Sequence, residues 1–171
     1  NMAYRKSALA ELGGFDPKFW PGEEMIAAYL AEKRGNLLVF HPKAWVYHYP
    51  RHSFSRFWRQ IAGYGATRIR LIRGGVECEH TTLVPALWVA SLVVLGVASL
   101  FLPWAAWLLA LDVALYALVD LLITIAMVRE TKRPADLLLF VMIPIMHLAY
   151  GVGSWLEVLR PNRDLSEHIA H

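Results

Sequence analysis

Several signatures of common protein classes are missing from this chain of 171 residues. The only cysteine is Cys78, which excludes an internal disulfide and a cysteine-based structural zinc site. Neither a phosphate-binding P-loop nor a Gly-x-Gly-x-x-Gly pattern occurs, and no Asp-x-Asp pair is present. Function must therefore be read from hydrophobicity, charge and a few short motifs.

Charge is scarce and unevenly distributed. Hydrophobic residues make up 57% of the chain and charged residues 18%, whereas soluble domains have about 45–50% and about 25%. Residues 1–80 carry most of the arginine, histidine and glutamate, and residues 81–160 are dominated by leucine, valine, alanine, isoleucine and tryptophan. This shift predicts a polar part followed by a membrane part.

The membrane part, residues 81–171, contains three long apolar stretches, at about 83–102, 105–128 and 137–156. Residues 83–102 carry no charge, and such a stretch is long enough to cross about 30 Å of hydrocarbon. We therefore expect about three transmembrane helices and contact with membrane lipids.

Basic residues indicate the orientation. Six arginines lie just ahead of the first stretch, between residues 51 and 73, and three basic residues lie in the 129–136 connector. The positive-inside rule then predicts a multi-pass protein of the cell (inner or plasma) membrane with its polar part in the cytoplasm. We assign the arginines to anionic headgroups rather than to nucleic acid. The tail lies outside if the third stretch crosses, and in the cytoplasm if that stretch is re-entrant.

The polar part mixes helical and extended patterns. Apolar stripes predict helices at 4–12 and 23–34, and short apolar runs at 37–40 and 44–48 predict two strands. Residues 53–73 predict an amphipathic helix that lies in the headgroup plane, packs on the polar part or does both, and a linker follows to residue 80. These patterns predict an α/β fold for residues 1–52, followed by an α-helical membrane region.

Residues 13–24 form the most distinctive motif. Two glycines and two prolines break regular structure, aromatic side chains are interleaved, and the segment ends in Glu23 and Glu24. Ring faces beside carboxylates are typical of a sugar-binding cleft. The alternative is a plain helix start, where acidic residues favour the positive end of the dipole.

The second apolar stretch contains two acids. Asp112 and Asp120 are eight residues apart and share a helical face, and His147 lies in the third stretch. Ionisable groups at membrane depth are costly and often functional. A small transporter-like bundle is therefore a rival interpretation, beside simple packing between helices.

Five motifs occur in an order that resembles family 2 glycosyltransferases. They are Asn-Met-Ala-Tyr-Arg-Lys-Ser-Ala-Leu at 1–9, Gly-Gly-Phe-Asp at 13–16, Pro-Gly-Glu-Glu at 21–24, Val-Tyr-His at 46–48 and Arg-Gln-(Ile-Ala-Gly)-Tyr-Gly at 59–65. The resemblance implies the carboxy-terminal portion of an inverting, nucleotide-sugar-dependent enzyme with a GT-A fold.

The resemblance also implies site residues. Glu24, preceded by Glu23, stands where the family has its catalytic aspartate, and His48 matches a histidine that completes a Mg²⁺ or Mn²⁺ site. The residues implied on the acceptor side are Gly13, Gly14, Phe15, Asp16, Trp20 and Gln60. Gly63-Tyr64 replaces the Arg-Trp of processive members, which argues against a processive polymerase.

The implied reaction moves a sugar from a nucleotide donor to a lipid-linked or polysaccharide acceptor at the cytoplasmic membrane face. The donor-binding half, with its Asp-x-Asp, would precede residue 1, so the chain alone is not expected to catalyse transfer. Glutamate at position 24 leaves a second alternative open, a non-catalytic membrane scaffold that retains a degenerate transferase segment.

Overall fold

The computed structural model describes residues 2–20, 22–47 and 53–160. Within these ranges the chain forms six α-helices, joined by loops and 3-10 turns. The helices are α1 (Lys6–Glu11), α2 (Glu23–Lys33), α3 (Phe54–Arg73), α4 (Val84–Ala98), α5 (Pro103–Thr131) and α6 (Leu139–Leu159). The 3-10 turns are Pro17–Phe19, His80–Leu83 and Pro134–Leu138.

The predicted α/β fold is wrong, because no strand occurs in the described ranges. Residues 37–40 and 44–47 lie in an exposed loop, and Leu37 and Phe40 are each 89% exposed. A strand requires a neighbouring strand to pair its backbone groups. None lies beside this loop in the described part of the chain, so a short apolar run was insufficient evidence for a strand.

A small core joins α2 to the second half of α3. It consists of Phe19, Ile26, Leu71 and Val76, each at most 9% exposed. Burial of such side chains contributes about 1.5–3 kcal/mol each. Val76 reaches the core because Gly75, with φ of 80°, turns the chain back after α3. This core fixes the start of α2 beside α3.

Two glycines allow α3 and α6 to touch through their backbones. A side-chain carbon at Gly65 would overlap the carbonyl oxygen of Tyr150, and one at Gly153 would overlap that of Ala62. Small residues at such crossings are typical of membrane helix packing. The amphipathic helix α3 is thereby docked on the last apolar helix.

Three helical segments are long and apolar enough to cross a membrane: His80–Ala98, Pro103–Thr131 and Pro134–Leu159. They overlap the three stretches predicted from the sequence. Most of their surface is exposed rather than buried in the protein, which suits helices whose outer faces meet lipid. These helices indicate a membrane location.

Candidate functional site

The two carboxylates of the 13–24 motif lie in the first turn of α2. Gly22 precedes this helix and provides no side-chain cap, so the acids themselves face the positive end of the helix dipole. The hydroxyl of Tyr4 donates a hydrogen bond to the backbone oxygen of Glu24 at 3.2 Å. Burial, and then the negative charge of Glu24, raise the pKa of Tyr4.

These carboxylates form one wall of a cleft between α2 and α3. The cleft has a volume of about 650 Å³ and is lined by Trp20, Glu23, Glu24, Arg56, Arg59, Gln60, Gly63 and Tyr64. We call it the α2–α3 cleft. Four of its residues are predicted site residues, and the fold brings Gln60 together with Trp20, Glu23 and Glu24, which lie about 36–40 positions earlier in the sequence.

The α3 wall of the cleft follows from helical periodicity. Its residues stand at positions 56, 59, 60, 63 and 64, a spacing of three and four that places them on one helical face. The amide nitrogen of Gln60 donates to the hydroxyl of Tyr64 at 2.7 Å. This bond orients two polar groups towards the cleft.

The charges of the cleft do not neutralise one another. In the described ranges, neither Glu23 nor Glu24 forms an ion pair with Arg56 or Arg59. One carboxylate oxygen of Glu23 is buried without a hydrogen-bond partner. Buried groups left unpaired cost free energy, and a ligand with hydroxyl and anionic groups would satisfy both walls.

Contacts with α3 hold the loop before α2 in place. The hydroxyl of Thr67 donates to the backbone oxygen of Phe19 at 3.4 Å, and Arg70 donates to that of Trp20 at 3.3 Å. Gly22 lies so close to Thr67 that a side chain there would overlap it. The position of Trp20 at the cleft is therefore set by α3.

The other predicted acceptor residues lie elsewhere. Gly13, Gly14, Phe15 and Asp16 line a separate cavity of about 440 Å³, together with apolar side chains that include Ile26. The structure therefore divides the predicted acceptor residues between two cavities. Glu23 and Glu24 line the α2–α3 cleft, whereas Asp16 lines the second cavity.

The described residues do not form a metal site. No group of three or more histidine, cysteine, aspartate or glutamate side chains is placed to hold an ion in residues 2–20, 22–47 and 53–160. His48, the predicted metal ligand, lies outside the described residues. The Mg²⁺ or Mn²⁺ that the resemblance implies therefore stays a prediction, and no step below uses one.

The sequence interpretation missed Arg56, Arg59, Gly63 and Tyr64 as cleft residues. It assigned the arginines to lipid headgroups and used Gly63-Tyr64 only to argue against processivity. The sequence pattern could have identified these four residues, because helical periodicity places their positions on one face with Gln60.

The polar residues of the membrane helices contact one another. Asp112 accepts a hydrogen bond from the hydroxyl of Ser91 at 2.7 Å, and Tyr116 bonds to His147 at 2.7 Å. Asp120 is 2% exposed and has no hydrogen-bond partner in the described chain. The Ser91–Asp112 and Tyr116–His147 hydrogen bonds connect α4, α5 and α6, which is a packing role.

One curated relative is the succinoglycan biosynthesis protein ExoA of Rhizobium meliloti (strain 1021). It is 26% identical to this chain over 156 residues, which cover 91% of the chain and 46% of the relative. The chain thus spans about half the length of the relative that it matches. No protein-family model matches the chain, and no solved structure does.

The match runs through both the cleft and the membrane helices, since it covers 91% of the chain. It indicates a distant relation to a protein of succinoglycan biosynthesis. That relation agrees with the glycosyltransferase resemblance of the sequence motifs.

Proposed function

We propose that this chain forms the acceptor side of a membrane-bound, inverting glycosyltransferase of family 2 type that acts in polysaccharide biosynthesis. The observation that carries the proposal is the α2–α3 cleft, where Glu23 and Glu24 face Trp20 and Gln60. The relation to a succinoglycan biosynthesis protein supports it, because a polysaccharide is built by successive sugar transfers.

Glu24 is the general base in this proposal. Its carboxylate takes the proton of an acceptor hydroxyl as the hydroxyl oxygen forms a bond to the anomeric carbon of the donor sugar. The bond from that carbon to the nucleotide diphosphate oxygen breaks in the same step, and the diphosphate departs with the electron pair. Attack from the opposite face inverts the anomeric configuration.

The neighbours of Glu24 suit a sugar acceptor. Trp20 is 63% exposed beside the carboxylates and offers a ring face for stacking. Gln60 and Tyr64 provide polar groups for sugar hydroxyls on the opposite wall. Glu23 keeps a second carboxylate next to the base.

The proposed location is the cytoplasmic face of the cell membrane. The cleft is built on α3, which is docked on α6, an apolar helix long enough to span a membrane. A lipid-linked acceptor diffusing in the bilayer would therefore reach the cleft directly. The nucleotide-sugar donor would arrive from the aqueous side.

A transfer assay tests this function in the complete gene product. Membranes that contain the wild-type protein should incorporate sugar from a labelled nucleotide sugar into lipid-linked or polysaccharide material. Glu24→Gln should reduce transfer by about 100-fold or more, in the range of general-base catalysis. Glu32→Gln is the matched control, because Glu32 lies exposed on the same helix outside the cleft. Equal transfer by wild type and Glu24→Gln would exclude Glu24 as the base, and the absence of transfer by the wild type would indicate the scaffold instead.

A further inference from the structure

The two arginines of the α2–α3 cleft, Arg56 and Arg59, have no acidic partner among the residues that the structure describes. Arg59 makes a hydrogen bond from its Nε to the backbone oxygen of Ser55 at 3.3 Å, and neither Arg59 nor Arg56 pairs with a carboxylate in the described chain. Two guanidinium groups that line one cavity provide a planar set of donors that matches phosphate oxygens.

The start of α3 adds positive potential at the same place. This helix of 20 residues has no acidic residue in its first turn and no side-chain cap at Ser53. Its first backbone N–H groups therefore lack a compensating negative charge within the helix. Arg56 lies in this turn, so the guanidinium and the helix dipole both favour an anion.

Aromatic side chains on the face of α3 away from the arginines point to a lipid rather than to a soluble anion. Phe54 is 62% exposed, and its ring packs on Trp58 with the ring centroids 6.4 Å apart. An amphipathic helix with arginines on one face and aromatic rings on the other is typical of the headgroup region of a membrane. The arginine wall of the cleft therefore lies where lipid phosphates occur.

We propose that Arg56 and Arg59 bind the phosphate or diphosphate group of a lipid-linked acceptor. The lipid chain extends from the phosphate into the bilayer that the aromatic face of α3 contacts. The sugar extends from the phosphate across the cleft towards Glu24. The sugar end of this assignment rests on the proposed function, whereas the phosphate end rests on the unpaired arginines alone.

The cleft is consistent with such an amphiphilic ligand. Its two walls carry opposite charge, two carboxylates on α2 and two guanidinium groups on α3, around a volume of about 650 Å³. A phosphate would be repelled by the carboxylates and attracted by the arginines, which orients the ligand. The sugar hydroxyls, which carry no charge, would then face the carboxylates that accept hydrogen bonds.

Binding to the full chain in phosphatidylcholine nanodiscs tests the proposal without catalysis. Three probes are titrated: a prenyl diphosphate, the corresponding prenol, and inorganic pyrophosphate. We expect the prenyl diphosphate to bind most tightly, and the double variant Arg56→Gln/Arg59→Gln to weaken its binding by at least 10-fold. The control Arg129→Gln removes the same charge at the end of α5, outside the cleft, and should bind as the wild type does.

The other outcomes overturn the proposal. Equal affinity for pyrophosphate and prenyl diphosphate would assign the arginines to a soluble diphosphate, such as that of the donor. Equal binding of prenyl diphosphate by the wild type and the double variant would show that the arginines do not bind the phosphate. If the double variant does not fold, Arg56→Lys/Arg59→Lys keeps the charge, and a loss smaller than 3-fold relative to the wild type would contradict guanidinium-specific recognition.

The outcome is independent of the proposed reaction. Glu24→Gln should bind prenyl diphosphate at least as tightly as the wild type, because the variant removes a negative charge that repels phosphate and leaves both arginines in place. Phosphate binding without sugar transfer would therefore refute the proposed function and leave this inference intact. Sugar transfer without arginine-dependent phosphate binding would refute this inference and leave the proposed function intact.

Discussion

Arg70 of α3 and Glu157 of α6 form a bidentate ion pair. The Nε and Nη2 atoms of Arg70 donate to Oε2 of Glu157 at 2.9 and 2.8 Å, and the side chain of Glu157 is 5% exposed. The same guanidinium donates to the backbone oxygen of Trp20 at 3.3 Å. Arg70 thus connects the cleft loop with the last apolar helix.

Removing one partner of this pair should destabilise the protein strongly. Glu157→Leu leaves the guanidinium of Arg70 without its carboxylate at a largely buried position, which typically costs about 3–5 kcal/mol. We expect a lower midpoint of unfolding in detergent for Glu157→Leu and for Arg70→Met. The measurement is thermal or SDS-induced unfolding followed by circular dichroism.

The double variant Arg70→Met/Glu157→Leu supplies the control. It removes both charges and keeps apolar volume, so it should be more stable than either single variant. Additive losses would show that the two residues do not interact, and would contradict the contact.

A neighbouring arginine, Arg73, predicts on which side of the membrane α6 ends. Arg73 donates to the backbone oxygens of Glu157 and Val158 at 3.0 and 3.2 Å, so the end of α6 is tied to the end of α3. We therefore expect Arg160 to lie on the same side of the membrane as the α2–α3 cleft. This is the re-entrant alternative for the third apolar stretch.

Cysteine labelling measures the topology. In a Cys78→Ser background, an impermeant maleimide should label Glu32→Cys and Arg160→Cys from one side of sealed vesicles. It should label Leu100→Cys, between α4 and α5, from the other side. Labelling of positions 100 and 160 from a common side, opposite to position 32, would establish three full crossings instead.

Close packing of α3 on α6 makes Gly153 intolerant of a side chain. Gly153→Ala would place a methyl group against the carbonyl oxygen of Ala62, and such overpacking costs about 1–3 kcal/mol. Gly96→Ala is the control, because a methyl group there meets no atom within 4 Å. We expect Gly153→Ala to lower the unfolding midpoint and Gly96→Ala to leave it unchanged or raise it. Equal midpoints would refute the close contact.

Helices were predictable here because their evidence is local. The amphipathic helix predicted at 53–73 is found at Phe54–Arg73, since its apolar and charged residues repeat with the helical period. The membrane helices were equally visible as long apolar runs. The strands were not, because an extended segment depends on a partner that its own sequence does not specify.

The site was predictable only in part. The turn-rich segment before Glu23 and Glu24 marked one wall of the cleft, since glycine, proline and aromatic residues cluster there. The other wall depends on which face of α3 meets α2, and the buried contacts of Phe19 and Leu71 decide that face. Those contacts join residues about fifty positions apart, and no local pattern reveals them.

The central claim is that Glu24 is the base for sugar transfer. The most direct test compares Glu24→Gln, Glu24→Asp and Glu23→Gln at saturating donor and acceptor in the complete gene product. We predict that Glu24→Gln loses at least 100-fold in kcat and that Glu24→Asp retains measurable transfer, because aspartate keeps the carboxylate. Glu23→Gln should lose less than Glu24→Gln. Wild-type kcat for Glu24→Gln would contradict the account.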